Sequence, residues 1–262
     1  MKGWIKYLGL GVLAYLVFLA VKFPANQAYS LVEPYLPEMK VPLKLYAVKG
    51  SVWDGQSGRV EYNKMSFDKV SWEFIPLDLL RGKLSLAVNF RNPDSFANLI
   101  VSRSIGGSIL LQNVRASMSA QEILSMAKIP AVKLGGDFTL NLSELSLHDQ
   151  KLEAVNGRLV WSKAESMFPQ KLMMGDLLAD LSTADNGDIQ VKLGDGGGPL
   201  ELSGGLTVKP DGKYDVTTLM SSREGRNSML GRSLGFMARY NNEGKAEFKR
   251  SGNISEFGFL VK

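Results

Sequence analysis

Leu84, Leu86, Val88 and Phe90 place an apolar side chain at every second position. An extended strand puts alternate side chains on one face, so this period commits the chain to building sheet. The same alternation recurs at Val70, Trp72 and Phe74, at Phe138, Leu140 and Leu142, at Leu177, Ala179 and Leu181, and at Ile189, Val191 and Leu193. Turn signals separate the runs. Asp185-Asn186-Gly187, Pro210-Asp211-Gly212 and Asn242-Glu243-Gly244 read as hairpin tips, because glycine takes the positive φ that tight turns need. Strands about 8–12 residues apart with turns between them predict antiparallel meanders. A closed or two-sheet sandwich and one long curved sheet both satisfy this pattern; the fold expected is mainly β, with a curved, twisted antiparallel sheet favoured and one or two short helices. A charge on its apolar face, as in Leu86→Asp, is expected to unfold it.

Helix signals are few. Ser119-Ala120-Gln121-Glu122 is a capping box ahead of Ile123, Leu124 and Met126. A second short helix is expected through Arg226 to Leu234, and a single turn through Ile75 to Arg81.

The N-terminus follows a different rule. Leu8 to Val21 carries no charge, and as a helix the stretch from Trp4 to Phe23 reaches ~30 Å, the thickness of a bilayer core. A cleaved signal peptide has a similar apolar core. However, the following FPANQAYS lacks the small-x-small pair that cleavage requires, so a retained transmembrane helix is expected. Lys2 and Lys6 precede the span, which keeps the short head in the cytoplasm and exports the remainder. The division expected is a cytoplasmic head over 1–6, a transmembrane helix over 7–23, a linker over 24–42 with Pro24, Pro34, Pro37 and Pro42, and a β-rich domain over 43–262.

Chemistry is sparse. The formal net charge of +5 includes Lys2, Lys6 and Lys22 around the apolar run, so the exported part is close to balanced and nucleic acid is not an expected partner. Without cysteine, disulfides and thiolate metal sites are excluded, and one histidine, His148, cannot form a His pair on a metal. His148 adjoins Asp149, but adjacency in sequence does not make a triad. The glycine run from Gly194 to Gly198 lacks the Gly-Lys-Ser/Thr of a phosphate loop and reads as a strand connection. Asp176, Asp180 and Asp185 have no calcium-loop spacing. No catalytic, cofactor or metal residue is expected, and the chain does not read as an enzyme.

The order of the motifs is more specific than any one of them. Val48-Lys49-Gly50-Ser51-Val52-Trp53-Asp54-Gly55 is followed by Val70-Ser71-Trp72-Glu73-Phe74-Ile75-Pro76-Leu77-Asp78-Leu79-Leu80-Arg81-Gly82. Then come Leu134-Gly135-Gly136-Asp137, Asn156-Gly157-Arg158-Leu159-Val160-Trp161 with Ala164, and Gly204-Gly205-Leu206. Behind a single basic-headed span, this series resembles the type II secretion system protein N family, also called general secretion pathway protein N. The resemblance implies an accessory, single-pass protein of the bacterial inner membrane with its C-terminal domain in the periplasm. Other type II secretion system subunits and the bilayer would be its partners. Its candidate interaction or structural signature is Gly50, Trp53, Gly55, Trp72, Pro76, Gly82 and Trp161. A competing expectation comes from the one-sided alternation itself: a bridge-like envelope protein that handles lipid in an apolar groove.

Overall fold

The computed structural model of the protein describes residues 7–12, 15, 18, 22–38, 41–62, 65–127, 133–149, 151–167 and 170–254. The chain divides into two compact units, Met1–Pro93 and Asp94–Lys262.

In the first unit, residues 7–12 are helical, and Leu8, Leu10, Val12 and Phe18 of the apolar run are exposed. The expected head over 1–6 lies outside the described residues, as does part of the expected span over 7–23. Among the described residues, no helix is long and apolar enough to cross a membrane. The proline-rich stretch carries a helix, α1 (Ala25–Val32), and a 3-10 turn (Glu33–Tyr35). Proline breaks a helix interior but suits its start. Pro24 occupies the N-cap of α1 and Pro34 the first turn of the 3-10 segment, so the helix forms between them.

The Tyr29 hydroxyl then accepts the Leu45 N–H at 3.1 Å and holds α1 beside strand β1 (Leu43–Tyr46). A two-residue β2 (Lys49–Gly50) and β1 both pair with β3 (Asp54–Tyr62), which pairs with β4 (Met65–Phe74), which pairs with β5 (Lys83–Arg91); every pairing is antiparallel. Phe67 and Phe90 meet edge to face at 5.2 Å. The alternation on β5 is real but uneven in burial. Phe90 is buried, Leu86 and Val88 are half-buried, and Leu84 is exposed while its neighbour Ser85 is fully buried. β5 emerges from a 3-10 helix (Pro76–Arg81), and the Ile75 N–H donates to the Ser85 carbonyl at 3.0 Å, which extends the β4–β5 pairing by one residue.

The second unit is a longer meander. Its strands are β6 (Phe96–Ser104), β7 (Ile109–Ser119), β8 (Leu134–His148), β9 (Lys151–Ser166) and β10 (Leu172–Thr183). They continue with β11 (Ile189–Asp195), β12 (Leu200–Val208), β13 (Lys213–Ser222), β14 (Arg239–Tyr240) and β15 (Ala246–Asn253). From β6 to β13 each strand pairs antiparallel with the next, and β15 lies between β13 and β14. The predicted tips close as expected: Gly187, Gly212 and Gly244 have φ of 82°, 83° and 75°.

Register aligns the apolar positions into rows across the sheet. One row runs Leu140, Leu159, Ala179, Leu193; another runs Gly157, Leu181, Val191, Leu206, Val216. The opposite face carries Asn141, Arg158, Asp180 and Lys192 in register, with an Arg158–Asp180 fork of 2.5 and 3.1 Å. A one-residue slip would exchange these faces, so burial of one face fixes the pairing. Val114, Leu142, Val155 and Ile189 pack as one buried cluster, with Leu99 of β6 and Val208 of β12 against it. Val208 is the cross-strand partner of Ile189 and Leu142 that of Val114, so the cluster runs across neighbouring strands of the sheet.

Helix α2 (Ala120–Ala127) begins at the predicted capping box, where the Glu122 N–H donates to Ser119 Oγ at 3.2 Å. The Glu122 carboxylate accepts a hydrogen bond from Ser95 Oγ at 2.9 Å, which ties the helix to a buried serine ahead of β6. Helix α3 (Met229–Met237) starts slightly later than the sequence pattern indicates, at an N-cap on Ser228. It buries Leu230 and Leu234 against Leu200 and Ala246.

Candidate functional site

Six of the seven signature residues lie in the first unit, and the structure explains each by its backbone. Gly50 has φ +85°, and a Cβ there would lie 2.5 Å from the Asp54 carbonyl oxygen. Gly55 is buried under Trp72, where a Cβ would meet the ring at 2.5 Å and the Ser51 carbonyl oxygen at 2.7 Å. The Trp72 indole N–H donates to the Val52 carbonyl at 3.0 Å. Gly50 and Gly55 thus bring a turn close enough for one ring to close it. Trp53 lies over Phe74 with ring centroids 4.8 Å apart, and its carbonyl accepts the Phe74 N–H at 2.6 Å. Pro76 opens the 3-10 helix and Gly82 ends it in the left-handed conformation, φ +70°. Gly50, Trp53, Gly55, Trp72 and Pro76 therefore form one continuous structure: a turn locked by an indole, then a strand that leaves into a capped helix.

Trp161 belongs to the second unit and repeats the device. Its indole N–H donates to the Gly135 carbonyl at 2.9 Å, and its ring stacks on Phe138 at 5.0 Å. Gly136, φ +89°, approaches the Ser162 carbonyl so closely that a Cβ would lie 2.3 Å from it. Glycine and tryptophan cooperate at both places for the same reason. Only glycine admits the close backbone approach, and an indole covers the gap while satisfying a carbonyl.

Beside the Trp161 device lies a groove of about 510 Å³ that the sequence pattern did not reveal. Its walls include Gly136, Lys163, Glu165, Met167, Met173 and Asp176. Register shifts fall between Gly135 and Asp137 on β8 and between Met173 and Leu177 on β10, and Lys163 on β9 has φ +50°. The irregularities on three adjacent strands line up and open the sheet. The Asp176 carboxylate accepts the Lys163 N–H at 2.8 Å, and Lys171 pairs with Glu165 at 3.0 Å. No single bulge has a sequence signature beyond a glycine, and their alignment is set by register.

The fold gives His148 a partner that adjacency did not predict. Ser108 Oγ lies 2.9 Å from its Nδ1, across the tips of two hairpins, and Asp149 Oδ2 lies 3.7 Å from its Nε2. The order Ser–His–Asp is that of a nucleophile relay, but the environment is not. A working carboxylate is buried and hydrogen-bonded to the ring, whereas the Asp149 side chain is 88% exposed. The groove is lined by other residues. Among the described residues, no group of three or more His, Cys, Asp and Glu side chains could hold a metal.

Asp195, in the glycine-rich connection, has a structural assignment. One carboxylate oxygen accepts the Gly197 N–H at 3.0 Å and the Arg223 guanidinium at 2.7 Å, and the other accepts the Leu202 N–H at 2.9 Å. Burial alone would raise this carboxyl. The Leu202 amide, the Arg223 side chain and the Gly197 amide outweigh it and hold Asp195 below the usual carboxylate range.

The signature residues of this molecule fix turns and strand ends in a mainly β protein built on antiparallel sheet. Its place among such proteins comes from its relatives, which are components of a protein-secretion apparatus. A family model described as type II secretion system (T2SS), protein N matches residues 42–249, and the chain belongs to that family. It is 24% identical to the type II secretion system protein N of Aeromonas hydrophila, over 97% of this chain and 100% of that one. It is 22% identical to that of Vibrio cholerae serotype O1, over 89% and 92%, and 23% identical to that of Pectobacterium carotovorum subsp. carotovorum, over 93% and 94%. No solved structure matches the chain.

Proposed function

We propose that the protein is an accessory inner-membrane component of the type II secretion system. In this reading it acts in assembly or interaction within the envelope apparatus that exports folded proteins. The observation that carries it is membership of the protein N family over residues 42–249. The apolar run supplies the anchor. The exposure of Leu8, Leu10, Val12 and Phe18 on its described residues supports contact with lipid rather than with the body of the protein. Lys2 and Lys6 favour a head in the cytoplasm and the β-rich domain over 43–262 in the periplasm. A large antiparallel sheet supports the interaction role, since edges can take a strand from another envelope protein.

One observation favours a second reading. Leu140, Leu159, Ala179 and Leu193 form a cross-strand apolar row whose members stay half-buried, as an apolar lipid groove would require. In-cell photocrosslinking of the full-length tagged protein, with mass spectrometry for proteins and lipids, separates the two. The assembly reading expects other secretion-system subunits crosslinked to it. Stoichiometric phospholipid without those subunits would replace it with the lipid-handling reading.

A further inference from the structure

The 3-10 helix Pro76–Arg81 and the first turn of β5 present a cluster of leucines to solvent. Leu80 is 86% exposed and Leu77 71%, with Leu79 and Leu84 about half exposed beside them. Isolated exposed leucines need no explanation, but four within eight residues make a patch. The patch has a basic rim. Arg81, with 77% of its side chain exposed, lies 3.4 Å from Asp78, and Lys83 follows.

The connection of this patch to the apolar run is short. The Val52 N–H donates to the Phe23 carbonyl at 3.0 Å, and Pro24 bridges Ser51. Trp53, next in sequence, accepts the Phe74 N–H, and Phe74 leads through Ile75 into Pro76. Three steps join sequence neighbours, ~3.8 Å between Cα atoms, and two join paired residues, ~5 Å apart, so Pro76 lies within ~22 Å of Phe23. The other end of the β3–β4 hairpin is far away. From Phe74 back to Ser66 the strand extends ~26 Å at ~3.3 Å per residue. The signature that locks Gly50, Gly55 and Trp72 together therefore holds the leucine patch at the end of the unit where the apolar run enters.

We propose that this 3-10 helix docks on the bilayer surface, with its leucines among the outer acyl chains and Arg81 and Lys83 at anionic headgroups. The inference rests on the anchor reading above. A few leucines and two cations bind a membrane weakly by themselves, but the tether raises their effective concentration at the surface. The signature of the first unit then has a purpose beyond folding: it sets the angle at which the periplasmic part leaves the membrane.

The chain contains no cysteine, so single labels can be placed cleanly. Full-length Leu80→Cys and Ser66→Cys, each carrying an environment-sensitive dye, are reconstituted in vesicles of phosphatidylethanolamine and phosphatidylglycerol containing lipid-borne quenchers. Both sites are solvent-exposed, so the labels do not enter the core. Quenching at residue 80 should exceed that at residue 66 by at least two-fold. Equal, weak quenching at both sites, with the protein retained in the alkaline-washed membrane pellet, overturns the docking and leaves the anchor standing. Loss of the protein from that pellet overturns both. A label at residue 80 shielded from aqueous iodide but not quenched by lipid assigns the patch to a protein contact and also overturns the proposal.

Discussion

The indole of Trp72 occupies the space a side chain at residue 55 would need: a Cβ on Gly55 would lie 2.5 Å from its ring. Gly55→Ala cannot relax by moving a flexible chain end, because the Ser51 carbonyl blocks the other side at 2.7 Å. Overpacking of this kind costs ~1–3 kcal/mol. In urea denaturation the variant is expected to lose about that much stability. Gly194→Ala should stay within ~0.5 kcal/mol of wild type, since nothing lies within 4 Å of a Cβ there. Equal midpoints for the two variants would show that the turn yields.

Trp72→Phe and Trp161→Phe keep an aromatic ring and remove one donor each, from the Val52 and Gly135 carbonyls. Each carbonyl is then left short of a partner, at ~1–3 kcal/mol. Losses of that size are expected for both variants in denaturant melts. A loss at Trp72 alone would mean that the device in the second unit is packing without a hydrogen-bond contribution.

Asp195 makes stability depend on acid. Its carboxyl is held below the ordinary value, so its contribution is present above the unfolded pKa of ~3.9 and is lost as pH falls through the folded pKa. Asp195→Asn, which leaves Arg223 and two amides with a weaker acceptor, should cost ~2 kcal/mol at neutral pH. The gap between variant and wild type should close on acidification below about pH 4. Thermal melts across that range check the sign; a gap that widened in acid would contradict it.

Leu142→Asp buries an unpaired charge in the cluster of Val114, Val155 and Ile189, and is expected to unfold the second unit at several kcal/mol. Leu80→Asp introduces the same charge at a position 86% exposed and should leave stability within ~0.5 kcal/mol. Circular dichroism melts of the two variants test whether the core and the exposed leucines are correctly told apart. The alternation alone predicted unfolding for Leu86→Asp, but Leu86 is only half-buried on β5, so this variant should fall between them.

Much of this molecule could be read from sequence because the relevant signals are local. Period two predicted the strands, since side-chain alternation follows from one residue's geometry. Glycine and proline predicted the hairpin tips at Gly187, Gly212 and Gly244, since φ is a property of single residues. Ser119 and Glu122 located α2 because a cap reaches only three residues.

The tertiary structure decided what depends on pairing. That Leu84 faces solvent while Ser85 is buried does not follow from the alternation of β5. That Gly55 serves Trp72, that three irregular strands align into a groove beside Gly136 and Lys163, and that Ser108 meets His148 are consequences of register between segments distant in the chain. Alternation states which residues share a face. What covers that face is set by the strands and turns that arrive from elsewhere.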